Sequence, residues 1–189
     1  MRIGVGVSDE LDEMRLVRRI RDGDRLAFQA LYRAYFPRLA RFLDRLTRNV
    51  PLIEEIINDT MLVVWQKADT FDGSCKLSTW VFGIAYRQGL KAVHRLDEPL
   101  EQQEDEHAPA GAQPEHALAA RQLQRGVGRA LDKLPVEQRV VVSLTYYHGM
   151  MYQEIAETMG CPVNTVKTRM FHARQKLKDM LSEHREEIQ

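Results

Sequence analysis

The residues best placed to bind another molecule lie near the C-terminus, on a segment with basic but no acidic charge. Residues 163–178 contain five Lys or Arg residues and no Asp or Glu. Small polar, basic and aromatic groups of this kind can contact the base edges and phosphates of DNA. The candidates are Asn164, Thr165, Lys167, Thr168, Arg169, Phe171, His172 and Arg174. Taken alone, a basic segment of this kind is more often an ordinary amphipathic helix with a solvated basic face.

The elements around this segment predict a helix-turn-helix. Apolar residues recur at helical spacing and predict a buried stripe, formed by Val166, Met170, Ala173 and Leu177. A shorter helix is predicted over residues 153–159. Gly160 can supply the left-handed turn after it, and Pro162 fits the first turn of the next helix. Because the second helix of this motif enters the DNA major groove, the combination favours DNA binding.

Length and composition limit the kinds of protein that the chain can be. A chain of 189 residues predicts one or two small domains, and a formal net charge of zero means that nucleic-acid binding requires segregated charge. Cys75 and Cys161 show no metal-ligand spacing, so we expect no metal, no cofactor and no disulfide framework. No apolar run is long enough to span a bilayer, and the acidic start does not resemble a signal peptide. A cytoplasmic protein is predicted.

Three helices are predicted in the first 71 residues, after a loose tail over residues 1–8. The first begins at Asp9. The second runs from Arg25 to about Arg48, with a kink or a split at Pro37. The third, over residues 51–71, carries more apolar surface than one buried stripe needs, and acidic residues border it. This pattern fits a protein-docking face and a centrally buried helix equally well.

A fourth helix is predicted over residues 77–95, capped by Ser78 or Thr79 and preceded by a loop over residues 71–76. Trp80 and three other apolar residues are expected to face inward. The residues expected to face outward are Tyr86, Arg87, Lys91, His94 and Arg95. Basic and aromatic groups beside a polar loop suit single-stranded nucleic acid. Taken individually, however, Trp80 and Tyr86 are more typical of the core and its rim.

An acidic stretch divides the chain. Residues 97–120 hold seven acids, three prolines and no Lys or Arg, which predicts a flexible linker. It could be a solvated tether or an acidic strand lying in a positively charged channel. Beyond it, Val140, Val141, Leu144 and Tyr147 are expected to pack in a second domain, which ends in a polar tail from Ser182. The predicted fold class is all-α, with two small helical domains.

The order of these features resembles the bacterial RNA polymerase sigma factors of the sigma-70 family, in the extracytoplasmic-function (ECF) group. The resemblance rests on residues 23–43, 54–73, 78–87 and 131–177, which include the motifs STWVFGIAYR and MYQEIAETMGCPVNTVKTRMFHARQKL. It covers most of the chain outside the tails and the linker.

The resemblance implies a role for each part. Domain 2, residues 9–96, would bind the clamp helices of core RNA polymerase through Glu55, Ile56, Asp59, Met61 and Trp65. It would also recognise and melt the minus-ten promoter element through Phe71, Lys76, Ser78, Thr79, Trp80, Tyr86, Arg87 and Lys91. The linker, residues 97–120, would thread the polymerase cleft. Domain 4, residues 121–182, would sit on the polymerase flap and read the minus-thirty-five element with the eight residues of the basic segment given above.

Other expectations follow from the same resemblance. The protein would have no catalytic activity and no inserted membrane segment, and an anti-sigma factor is a possible partner. Arg87 stands where the family commonly has Asn, and Cys75 where it commonly has a polar or charged residue. A stand-alone helix-turn-helix regulator of the response-regulator type is the alternative, but the chain lacks the acidic α/β receiver pattern. An enzyme would be expected to contain a Gly-rich phosphate-binding loop, a nucleophile motif or metal ligands at a regular spacing, and the sequence shows none of these.

Overall fold

The computed structural model describes residues 7–96 and 126–186, and every regular element within them is helical. The N-terminal unit, residues 7–96, contains α1 (Val7–Arg21), α2 (Arg25–Leu43), α3 (Val50–Gln66), a 3-10 turn (Ala68–Thr70) and α4 (Leu77–Leu96). The C-terminal unit, residues 126–186, contains α5 (described part 126–132), α6 (Val136–Tyr146), α7 (Tyr152–Met159) and α8 (Val163–Glu186). The all-α prediction is confirmed. The predicted linker, residues 97–120, lies outside the described residues.

Side-chain caps fix where α2 and α3 begin. The Asp24 carboxylate accepts hydrogen bonds from the N–H groups of Leu26 and Ala27, at 2.9 and 3.1 Å. The Asn49 side chain accepts one from the N–H of Leu52, at 3.0 Å. Such caps satisfy donors that have no partner within the helix.

Several predicted boundaries were wrong. Helix α1 begins at Val7, two residues before Asp9. Helix α2 passes through Pro37 unbroken and ends at Leu43, five residues before the predicted end at Arg48, and Asn49 then caps the next helix. Helix α3 ends at Gln66, and a 3-10 turn follows. Helix α8 continues to Glu186 through most of the predicted tail, since no Gly or Pro interrupts it.

Two expectations about side chains and caps also fail. Helix α4 begins at Leu77, so Ser78 and Thr79 lie within its first turn and neither precedes it as a cap. Tyr147 does not pack in the core. The residue is 47% exposed and follows the last residue of α6, Tyr146.

The two units share one continuous apolar core. Helices α2, α3 and α4 bury the largest N-terminal side chains, among them Leu39, Phe42, Ile57, Met61 and Phe82. The C-terminal core contains Val140, Leu144, Ile155, Val166 and Met170. Helix α4 packs against both α3 and α7, and therefore connects the two sets.

Candidate nucleic-acid and protein interfaces

Helices α7 and α8 form the predicted helix-turn-helix. Gly160 adopts the left-handed conformation, with φ 63° and ψ 39°. The N–H of Cys161 donates to the carbonyl of Ala156 at 3.0 Å, and the N–H of Gly160 donates to that of Glu157 at 3.3 Å. This pair of bonds is the Schellman arrangement, which closes one helix and redirects the chain into the next. The predicted glycine turn is confirmed.

We expect Gly160→Ala to lower the free energy of unfolding by about 1–2 kcal/mol, because a residue with a Cβ atom is strained in the left-handed region. No atom lies within 4 Å of the Cβ position, so the loss would be one of backbone strain. Thermal unfolding measures it. Gly160→Asn is the matched control and should lose less, since Asn tolerates this conformation. Equal losses in the two variants would contradict this explanation.

The predicted DNA-reading side chains lie on the outer face of α8. Val166, Met170 and Ala173 are buried beneath them, as predicted, and Leu177, the fourth residue of the predicted stripe, is half-buried. The exposed members of the set are Asn164, Lys167, Thr168, Phe171, His172 and Arg174, while Thr165 and Arg169 are half-buried. The Phe171 ring is 64% exposed and meets the His172 ring edge-on. An apolar ring this exposed beside unopposed basic charge is suited to contact with thymine methyl groups.

Tyr146, at the end of α6, contacts this face and was not identified from the sequence. The guanidinium of Arg174 donates a hydrogen bond to the Tyr146 hydroxyl at 2.9 Å and lies 5.9 Å from the centre of its ring. This hydrogen bond raises the pKa of Arg174. Because the two residues are distant in sequence, only the packing of α6 against α8 brings them together.

A basic cavity opens beside α4 in the N-terminal unit. Its volume is about 450 Å³. The predicted residues Trp80, Arg87 and Lys91 line it. The sequence did not indicate its other lining residues: Val63, Lys67, Thr70, Ile84 and Gln88. Three cations around an indole suit a single nucleic-acid strand, which is held by charge and by stacking.

The other residues predicted to bind the minus-ten element do not line this cavity. Phe71 is buried against Trp80, with ring centres 5.3 Å apart. Ser78 is half-buried, whereas Thr79 and Tyr86 are only 3% and 6% exposed. The expectation that Tyr86 faces outward was therefore wrong, and the other interpretation, that Tyr86 belongs to the core and its rim, is confirmed. Helix α4 has neighbours on two sides, and burial raises the pKa of the Tyr86 phenol.

An apolar groove lies between α2 and α3, with a volume of about 460 Å³. Its lining residues are Arg25, Phe28, Tyr32, Asn58, Met61, Leu62 and Trp65. Phe28 and Trp65 meet edge-on at 5.1 Å, and the Tyr32 hydroxyl donates to Asn58 at 2.9 Å. Leu62 is 52% exposed. An exposed apolar groove with a polar border is typical of a protein-docking surface.

The five residues predicted to bind polymerase occupy three different environments: the exposed surface, the groove and the core. Glu55 and Asp59 are exposed, and Glu55 pairs with Arg95 at 3.3 Å. Trp65 and Met61 line the groove, although Met61 is only 1% exposed. Ile56 is 2% exposed and belongs to the core. Helix α3 is thus a centrally buried helix that also lines an exposed apolar groove, and its role as a protein-docking face stays a prediction.

Within residues 7–96 and 126–186, no group of three or more His, Cys, Asp and Glu side chains is arranged to hold a metal ion. No described helix combines the length and apolarity needed to cross a membrane.

Fold and surfaces together define an all-α protein with a C-terminal helix-turn-helix and a separate apolar groove in its N-terminal unit. Two family models match it: Sigma-70 region 2 over residues 31–98, and Sigma-70, region 4 over residues 124–177. The ECF RNA polymerase sigma factor RpoE of Cereibacter sphaeroides is 31% identical over 179 residues, which cover 93% of this chain and 98% of that protein. The ECF RNA polymerase sigma-E factor of Escherichia coli (strain K12) is 27% identical and covers 89% and 94%.

Solved structures show the same fold. CnrH, in complex with the cytosolic domain of CnrY, has a TM-score of 0.68 at 24% identity, covering 90% of this chain and 97% of that one. The sigma factor RpoE of Bartonella quintana, in complex with the anti-sigma factor NepR, has a TM-score of 0.62 at 24% identity, covering 82% and 96%. The chain belongs to the sigma-70 family of RNA polymerase sigma factors, in the ECF group.

Proposed function

We propose that this protein is a promoter-specificity subunit, which binds core RNA polymerase and directs it to a set of promoters. The observation that carries the proposal is the presence, in one chain of this family, of three separate surfaces. These are the outer face of α8, the basic cavity beside α4 and the apolar groove between α2 and α3. A stand-alone regulator would need the first surface but neither of the others.

Each surface has its own task in this proposal. Domain 2, residues 9–96, docks on the polymerase clamp through the groove and takes the melted minus-ten strand in the cavity. Domain 4, residues 121–182, reads the minus-thirty-five duplex through α8, and residues 97–120 connect the two. Phosphate contacts set the register and base contacts choose the site. No step requires bond-breaking chemistry, so the protein acts without catalysis, in the cytoplasm where polymerase is found. An anti-sigma factor is a further proposed partner.

The direct test adds the purified chain to core polymerase and a promoter library, and maps transcript start sites. We expect association with polymerase and initiation at a subset of promoters. A chain that does not associate, or associates without starting transcription anywhere, would overturn the proposal. Duplex binding without polymerase, as a dimer, would favour the stand-alone regulator.

Lys167→Ala tests the reading helix. Lys167 is exposed on α8. Loss of one phosphate contact should weaken promoter binding and reduce the slope of log affinity against log salt by about 1. Titrations at several salt concentrations measure both quantities. Lys133→Ala removes the same charge at an exposed position directly after α5, outside the set of residues predicted to read DNA, and should leave the slope unchanged. The same slope in both variants would count against α8 as the reading helix.

A further inference from the structure

Arg174 differs from the exposed lysines of α8 because a residue of another helix holds it in place. Its Nη2 atom donates a hydrogen bond to the Tyr146 hydroxyl oxygen at 2.9 Å. Within the described residues, the exposed Lys167, Lys176 and Lys178 have no side-chain hydrogen bond or ion pair. The Arg174 guanidinium therefore has a defined position in the free chain, whereas these ammonium groups can move in solvent.

The hydroxyl group of Tyr146, and not its aromatic face, makes this contact. The guanidinium carbon of Arg174 lies 5.9 Å from the centre of the Tyr146 ring, near the limit of about 6 Å at which a cation interacts with a ring face. The hydrogen bond is also the main reason why the pKa of Arg174 is raised, and electrostatic interactions with the Tyr146 and Tyr152 phenols add to the effect. Removing the hydroxyl oxygen alone should therefore release the guanidinium.

The core of the C-terminal unit fixes Tyr146 relative to α8. Tyr146 is the last residue of α6, in which Val140 and Leu144 are fully buried. Helix α6 packs directly against α8, in which Met170 and Ala173 are buried. Tyr146 itself is 61% exposed, so it holds Arg174 at the surface of the protein and not in the core.

Arg174 lies on the proposed reading face, at a distance from its tip that suits a phosphate contact. Lys167, Phe171 and Arg174 are spaced four and three residues apart and therefore share one face of α8. Arg174 is seven residues beyond Lys167, which is about 10 Å along the helix axis. The major groove is about 12 Å wide, so a helix that enters it N-terminus first has its later turns beside the phosphates at the groove edge.

We propose that Tyr146 is a positioning residue for promoter binding: its hydroxyl holds the Arg174 guanidinium where it can bind a phosphate of the minus-thirty-five duplex. This rests on the proposed function, which assigns α8 to that duplex. The hydroxyl uses one of the five guanidinium N–H donors, and four remain for phosphate oxygens. Because the side chain is already ordered, it loses less rotamer freedom on binding. Tyr146 acts through Arg174 and makes no phosphate contact of its own.

Tyr146→Phe tests this role in the full chain bound to core polymerase, on a promoter that the wild-type holoenzyme selects from the library. We expect the affinity to fall about 3- to 10-fold, which is the usual cost of ordering one long side chain on binding. The slope of log affinity against log salt should not change, because the phosphate contact is still made. Arg174→Ala should lower both the affinity and the slope, the slope by about 1. In the Arg174→Ala background, Tyr146→Phe should have no further effect.

Tyr147→Phe, at the neighbouring tyrosine, is the matched control and should bind the promoter like the wild type. Two results would overturn the positioning role and leave the proposed function intact. One is wild-type affinity in Tyr146→Phe. The other is a loss that persists in the Arg174→Ala background, which would mean that Tyr146 contacts DNA itself or, if the midpoint of thermal unfolding also falls, that it only supports the fold. If the wild-type holoenzyme selects no promoter, the proposed function falls and the positioning role falls with it.

Discussion

Leu62→Glu should lower the affinity for core RNA polymerase by roughly 30-fold or more. Truncating a side chain at the centre of an apolar docking groove commonly costs about 2 kcal/mol or more. A carboxylate there would also have to be desolvated on binding. Leu62 is 52% exposed in the free chain, so the fold should not depend on it. Competition against a labelled wild-type chain for core polymerase measures the change.

Val50→Glu is the matched control for this change. Val50 lies on the same helix, is 41% exposed and does not line the groove. Twelve residues separate it from Leu62, which is about 18 Å along a helix. We expect near wild-type affinity from this variant. If both substitutions weakened association equally, the groove would not be the docking surface.

Reversing the charge of Arg87 and Lys91 together should abolish most promoter opening. A charge-assisted hydrogen bond is worth about 1.5–3 kcal/mol, so the loss of two should lower open-complex formation by roughly 100-fold or more. Both side chains are exposed at the cavity, so the variant Arg87→Glu/Lys91→Glu should fold normally. Permanganate reactivity on a promoter already bound by holoenzyme isolates this step.

A control must separate opening from general charge effects. Arg33→Glu reverses an exposed charge on α2 outside the cavity lining, and should open promoters normally. Polymerase affinity should be unchanged in both variants. Weakened polymerase affinity in Arg87→Glu/Lys91→Glu alone would place these residues in docking and not in strand capture.

The sequence predicted well what depends on local spacing. The Gly160 turn and the buried stripe of Val166, Met170 and Ala173 follow from short-range rules of helix geometry, and the structure contains both. Helix ends were less predictable. Pro37 remains inside α2 because Leu31, Tyr35 and Leu39 bury that helix on both sides of it, which outweighs one missing hydrogen bond.

Contacts between distant segments could not be predicted. Tyr86 looks amphipathic in the sequence and could face either way, and only the packing of neighbouring helices such as α7 against α4 decides that it is buried. The pairing of Tyr146 with Arg174, and the contribution of Lys67 to the cavity, likewise depend on how helices are placed. Helical periodicity gives the face of a residue on its own helix, but not which helix covers that face.

Glu154 serves two structures with one carboxylate. Its Oε2 atom accepts a hydrogen bond from the Met151 N–H at 2.6 Å at the start of α7, while its Oε1 atom pairs with Lys76. A substitution at position 154 would disturb the reading motif and the contact with α4 simultaneously, whereas one at position 76 leaves α7 intact. Substitutions that change the strength of the contact between α7 and the start of α4 are therefore tolerated better at position 76 than at position 154. Related proteins should vary more at the position of Lys76 than at that of Glu154.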